Sequence, residues 1–253
     1  EVMRMYCRAL AGASIEIASS KELADKGIGW VSEGHASTEG TKVFLPPVVD
    51  RYPDKAQNFA WYKVVSTHQV AHLEFGSFDY LFDEPAPLFK DLRHQLEANQ
   101  PPRKRPVSDA PVAEDDGSAE RGWVTDMGRF FNLFEDRKLA LDVFTVLEDG
   151  RLDYRVKWEY RGIARAYSRV QLEALAERPP VEGLPLRQAM MELLIRLSLE
   201  QRKGLPVPVQ YLREVKLIAR VVRRLLNVTA TVQDTAEATL RVYGVLSKLP
   251  NQQ

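Results

Sequence analysis

A single cysteine, Cys7, supplies all the thiol chemistry in 253 residues. That excludes an internal disulfide framework and a cysteine-rich zinc site, and it suits a reducing, cytoplasmic setting. Net charge is absent too. The 35 lysines and arginines offset 35 aspartates and glutamates, so no whole-chain field favours nucleic acid or an anionic membrane. No apolar run reaches the roughly 18–20 residues that a membrane-crossing helix needs. The opening Glu1-Val2-Met3-Arg4 has no signal-peptide pattern, and a first residue other than methionine suggests a piece of a longer chain. Phosphate-binding glycine loops, Gly-x-Ser-x-Gly elbows and dinucleotide fingerprints are also missing.

What remains is an ordinary globular composition, 45% hydrophobic and 28% charged, long enough to bury a substantial core. The periodicity predicts a mainly α (α+β) fold: a multi-helix domain with a small β element. Residues 2–12 read as a helix, 14–18 and 41–45 as short strands, and 26–40 as an irregular glycine-rich loop that contains His35. Pro53-Asp54 opens a long helix that Gly76 ends, with an apolar stripe through Trp61, Val64, Val65, Ala71 and Phe75. A short helix is expected over 86–97, with His94 at its surface. Residues 99–122 carry four prolines and almost no large apolar side chain, so a disordered insertion is expected there. Further helices are expected at about 123–147, 153–177, 186–201, 208–226 and 231–248, with a break at Asp149-Gly150. The boundaries that follow are 1–150 for a metal-site region with its insertion and 151–253 for a helical region packed on it. Arg220, Arg223 and Arg224 cluster on one of the later helices, either as a solvated face or as a partner-binding patch.

The chemistry concentrates in Ser66-Thr67-His68-Gln69-Val70-Ala71-His72-Leu73-Glu74-Phe75-Gly76. Histidines four apart on a helix project side by side, so His68 and His72 can reach one divalent ion. In zinc proteases that pair is written His-Glu-x-x-His, and the glutamate is the general base. Here Gln69 holds that position, and an amide cannot take a proton from metal-bound water. The site is therefore zincin-like but degenerate. The third ligand expected is Glu135, a carboxylate among Phe130, Phe131 and Phe134 on a downstream helix. Around it, Asp136 is expected to orient a histidine and Arg137 to neutralise that carboxylate. Glu74 is a spare carboxylate that points off the shared face and the obvious substitute base. Two nitrogens and one carboxylate suit zinc, and with open positions also ferrous iron.

Three stretches in this order, Gly40-Thr41-Lys42-Val43-Phe44-Leu45-Pro46, the histidine helix and Phe134-Glu135-Asp136-Arg137, resemble the von Willebrand factor A-containing accessory proteins of MoxR-type AAA+ ATPases. The most similar branches are the Rubisco-activase adaptor (CbbO) and the nitric oxide reductase activation protein (NorD). Tyr160-Arg161-Gly162-Ile163 and the 178–185 stretch extend the resemblance over roughly residues 25–200. It implies a non-catalytic adaptor that links a hexameric MoxR-type AAA+ ATPase to a client enzyme, Rubisco first and nitric oxide reductase as the alternative. A metal-insertion factor and a zincin-type metallohydrolase are the competing functions. The Asp-x-Ser-x-Ser motif of the family's von Willebrand factor A domain occurs nowhere in this chain, so its ligand binding does not carry over.

Overall fold

A computed structural model describes residues 2–12, 15–20, 37–39, 42–100, 125–201, 203–205 and 207–250. His35 and most of the 26–40 loop lie outside the described residues, as does the expected 99–122 insertion from residue 101 onward.

The chain is mainly helical. Helix α1 (Val2–Ala11) leads into strand β1 (Glu16–Ser19), followed by β2 (Ser37–Glu39) and β3 (Lys42–Leu45). The three strands form one sheet in the order β1-β3-β2, with β1 parallel and β2 antiparallel to the central β3. Val43 and Leu45 of β3 pack with Cys7, Ile15 and Val70, so the sheet lies against α1 and the long helix α2 (Lys55–Glu74). Burial pushes the Cys7 thiol up to about 11, which leaves it a packing group rather than a nucleophile.

Helix α2 begins and ends where the sequence expects. The Asp54 side chain accepts hydrogen bonds from the Ala56 and Gln57 amides, filling two of the four orphan donors of a helix start. Gly76 takes a left-handed φ of 69°, and the Ser77 amide closes back on the His72 carbonyl at 2.9 Å. That closure places the Ser77 side chain beside His72.

After α3 (Arg93–Ala98) and α4 (Asp126–Phe131) comes α5 (Arg137–Glu159), the organising element. Leu139, Val143 and Leu147 enter the largest core cluster with α7 (Leu186–Ser198), α8 (Leu212–Leu225) and α9 (Val232–Leu246). Ala140 and Phe144 enter an aromatic cluster with Phe130, Phe131 and Phe134. Leu152 and Val156 meet Val64, Ala71 and Phe75 of the α2 segment and Ile163 and Tyr167 of α6 (Arg161–Ala176). Burying each such side chain stabilises the fold by about 1.5–3 kcal/mol. Helix α9 is as deeply placed, buried continuously from Val232 to Leu240 and opened by a reciprocal Thr231–Asp234 capping box.

Two expectations change here. The break at Asp149-Gly150 does not exist: α5 runs straight through it and stops at Tyr160. A β-carbon on Gly150 would lie 2.9 Å from the Ser198 β-carbon, so this glycine lets α5 and α7 approach closely rather than ending a helix. A boundary between residues 150 and 151 consequently falls inside one continuous helix that packs on both halves. No helix among the described residues is long and apolar enough to cross a membrane.

Candidate metal centre

His68 and His72 sit one turn apart on α2, with ring centroids 5.2 Å apart. Facing them from α5 is Asp149, whose Oδ1 lies 3.6 Å from His68 Nε2 and 3.7 Å from His72 Nε2. Both distances exceed hydrogen-bond length. Ligands around a tetrahedral zinc, with bonds of about 2.0–2.1 Å, stand about 3.3 Å apart. All three atoms lie within 4.8 Å of one another, a spacing that small side-chain shifts close around a cation.

Each imidazole is held by its other nitrogen. His68 Nδ1 meets Asp153 Oδ1 at 2.8 Å, and Asp153 also accepts from the Tyr167 hydroxyl at 2.6 Å and the Gln171 amide at 2.8 Å. His72 Nδ1 lies 3.2 Å from the Ser77 hydroxyl. Ser77 spends its only proton on Glu148, so its oxygen accepts from His72 Nδ1–H. Asp153 and Ser77 thus fix both ring orientations and leave both Nε2 atoms aimed toward Asp149, the outer-shell arrangement by which proteins orient metal-binding histidines.

Glu148 is fully enclosed. Arg151 grips it through Nε and Nη2, and Thr235 of α9 donates at 2.6 Å. The remaining Arg151 donors reach the Ala230 and Phe75 carbonyls, tying α5 to the end of α2 and the approach to α9. Burial alone would raise the Glu148 pKa, but Arg151 and the two hydroxyls outweigh it and hold it at about 2. At the histidines the same contest has two outcomes. Burial opposes charge on His68, yet the Asp153 and Asp149 carboxylates overcome it and raise its pKa well above 6.5. Burial and then repulsion from His68 push His72 down to about 4.

His72 and Asp149 open on a cleft of about 420 Å³ lined also by the polar Thr38, Gln69 and Ser77 and the apolar Phe78, Met127, Phe131, Leu141 and Phe144. Gln69 is tied back to the sheet: the Thr38 hydroxyl lies 2.8 Å from its side-chain oxygen and 2.9 Å from its backbone carbonyl and shares its one proton between them. Glu74 accepts from the Tyr160 hydroxyl and does not join the triad.

Glu135 does not join the triad either. It is exposed in the bend before α5, and Asp149 lies fourteen residues further on, about 20 Å along a helix at 1.5 Å per residue. The phenylalanines beside it are buried, but they turn inward and leave the intervening carboxylate in water. Asp136 orients no histidine; its carboxylate caps α5 by accepting from the Leu139 amide at 3.0 Å. Its ion-pair partner is Arg187 at 3.7 Å, while Arg137 is exposed at the first turn. The sequence signal for the carboxylate that faces both histidines was Glu148-Asp149-Gly150-Arg151-Leu152-Asp153, where Asp149 and Asp153 share a helix face four residues apart.

No protein-family model, curated protein or solved structure matches this chain.

Proposed function

We propose that this chain is a non-catalytic accessory module of a MoxR-type AAA+ ATPase in which His68, His72 and Asp149 hold one divalent cation, zinc or ferrous iron. Its role is to link the ATPase to a client enzyme, with Rubisco the first candidate. The metal joins α2 to α5 and so locks together the helices on which the rest of the fold is built.

The observation that carries this reading is the state of the carboxylates around the triad. Asp153 is committed to His68, Glu148 to Arg151, and Glu74 to Tyr160, while the place of the general base is taken by a glutamine anchored to Thr38. A bound cation would meet ligands but no base, so the site favours holding a metal over turning over a substrate. The link to the ATPase and to Rubisco is supported by the resemblance of the ordered motifs.

The test pairs two assays on the zinc-loaded chain. Hydrolysis of a fluorogenic peptide library is expected to stay at background, and the chain is expected to co-elute with a MoxR-type hexamer in the presence of ATP. Peptide turnover that disappears in Asp149→Ala would contradict the reading, as would failure to associate with the hexamer.

The cleft supports a second reading, a metal-insertion factor for an enzyme such as nitric oxide reductase. Three ligands beside an open cleft leave coordination positions free, which suits metal that exchanges. Rapid loss of the ion to a mild chelator, with transfer to an apo-acceptor, would favour this role over the adaptor.

A further inference from the structure

Helix α8 carries a second feature that the metal centre does not use. Arg213, Lys216, Arg220, Arg223 and Arg224 are all exposed. At about 100° per residue they fall within an arc of about 100° on one face, spread over about 16 Å of helix. The opposite face, Val215, Ile218, Val222 and Leu225, is buried in the core. None of the five cations ion-pairs with a carboxylate among the described residues, although Arg224 lies over the Phe89 ring at 5.4 Å. In a chain of zero net charge, this is a local positive field with no carboxylate counterpart among the described residues.

An apolar cleft of about 480 Å³ runs along one flank of that face, between α8 and the ends of α5 and α7. Ala219, Val222, Leu226, Leu197 and Leu205 line it, and Arg223 stands at its rim. Its one acid, Glu200, is held by Lys157. Leu212 and Leu217 border the basic arc on its two sides, Leu212 on the side of the cleft, and are exposed at 42% and 39%.

We propose that the solvent face of α8 and the adjoining cleft form a docking surface for an acidic protein segment that inserts one apolar anchor residue. Charge complementarity selects acidic residues along the arc. The cleft gives the anchor a place to be desolvated, as at the centre of a protein interface. An anionic membrane fits less well, because the apolar side of α8 is already committed to the core and cannot enter a bilayer. Nucleic acid fits less well, because an apolar cleft beside the cations offers nothing to a phosphate backbone. None of these residues belongs to the metal centre, so either site can fail while the other stands.

The test is fluorescence anisotropy on the full chain with a labelled glutamate-rich peptide bearing one central tryptophan. Binding is expected to weaken steeply with salt. It should fall about tenfold or more in the double variant Arg220→Glu/Arg223→Glu, and several-fold when Ala219→Phe fills the cleft or when serine replaces the peptide's tryptophan. Far-UV circular dichroism and metal content, measured in each variant, should match the parent. Undiminished binding by the charge-reversed chain would overturn the proposal, and equal binding of the serine peptide would remove the anchor. Tighter binding of duplex DNA or of phosphatidylserine vesicles at the same salt would assign the surface to those partners instead.

Discussion

Two stretches of this chain read almost alike, Phe134-Glu135-Asp136-Arg137 and Leu147-Glu148-Asp149-Gly150-Arg151, and the fold gives them opposite work. The first is an exposed helix start, where Asp136 caps α5 and Glu135 faces water. The second lies mid-helix, with Glu148 and Arg151 sealed in the core and Asp149 turned to the histidines. Identical residue types therefore carry no fixed role. What decides is whether neighbouring helices supply partners: Ser77, Thr235 and Ala230 surround the second stretch, and water surrounds most of the first.

The largest break in this comparison comes from Arg151→Ala, which strands the Glu148 carboxylate without its cation. Chemical denaturation should show a loss of about 3–5 kcal/mol, and a loss below about 1 kcal/mol would mean that Glu148 is not sealed.

Acid probes the same pair. The folded pKa of Glu148, about 2, lies below its ordinary 4.5. Its contribution is therefore fully present above pH 4.5 and is lost as pH falls toward 2. That is about 3 kcal/mol over the window. Denaturation at stepped pH should show this slope in the parent and a much shallower one in Glu148→Gln; equal slopes would remove Glu148 as the cause.

Gly150→Ala sharpens the comparison through its sign. Helix propensity alone predicts a gain of about 1 kcal/mol. The 2.9 Å approach to Ser198 predicts instead a loss, of about 1–3 kcal/mol. A raised melting temperature would show that α5 and α7 are not in close contact there. The smallest effect belongs to the exposed stretch: Asp136→Ala should cost about 1 kcal/mol as a lost cap, with metal content unchanged.

Much of the fold was legible because local chemistry determined it. The ends of α2 follow from Asp54 and Gly76, the start of α9 from Thr231 and Asp234, and the pair of histidines from their four-residue spacing. The third member of the site was hidden by Gly150. In sequence a glycine after an aspartate reads as a helix break, whereas here it marks a close helix crossing that only the packed α7 reveals. A break there separates Asp149 from Asp153, while the phenylalanine-flanked Glu135 reads as the carboxylate that needs a cation. Burial of a residue's neighbours does not bury the residue. The short helix expected over 86–97 is likewise confined to Arg93–Ala98, the preceding backbone being held instead by α9: the Leu88 amide donates to Asp234 and the Leu92 amide to Glu237. Such partners, some 145 residues away, leave no local signal.

The central claim, that α2 and α5 together hold one metal ion through His68, His72 and Asp149, is tested most directly by elemental mass spectrometry. The samples are the purified chain, Asp149→Ala and Glu135→Ala, each prepared without chelator and loaded in parallel with zinc or ferrous iron. The expected result is about one equivalent of ion in the parent and in Glu135→Ala, and its loss in Asp149→Ala. Metal retained by Asp149→Ala and lost from Glu135→Ala, or metal bound by none of the three, would contradict the account.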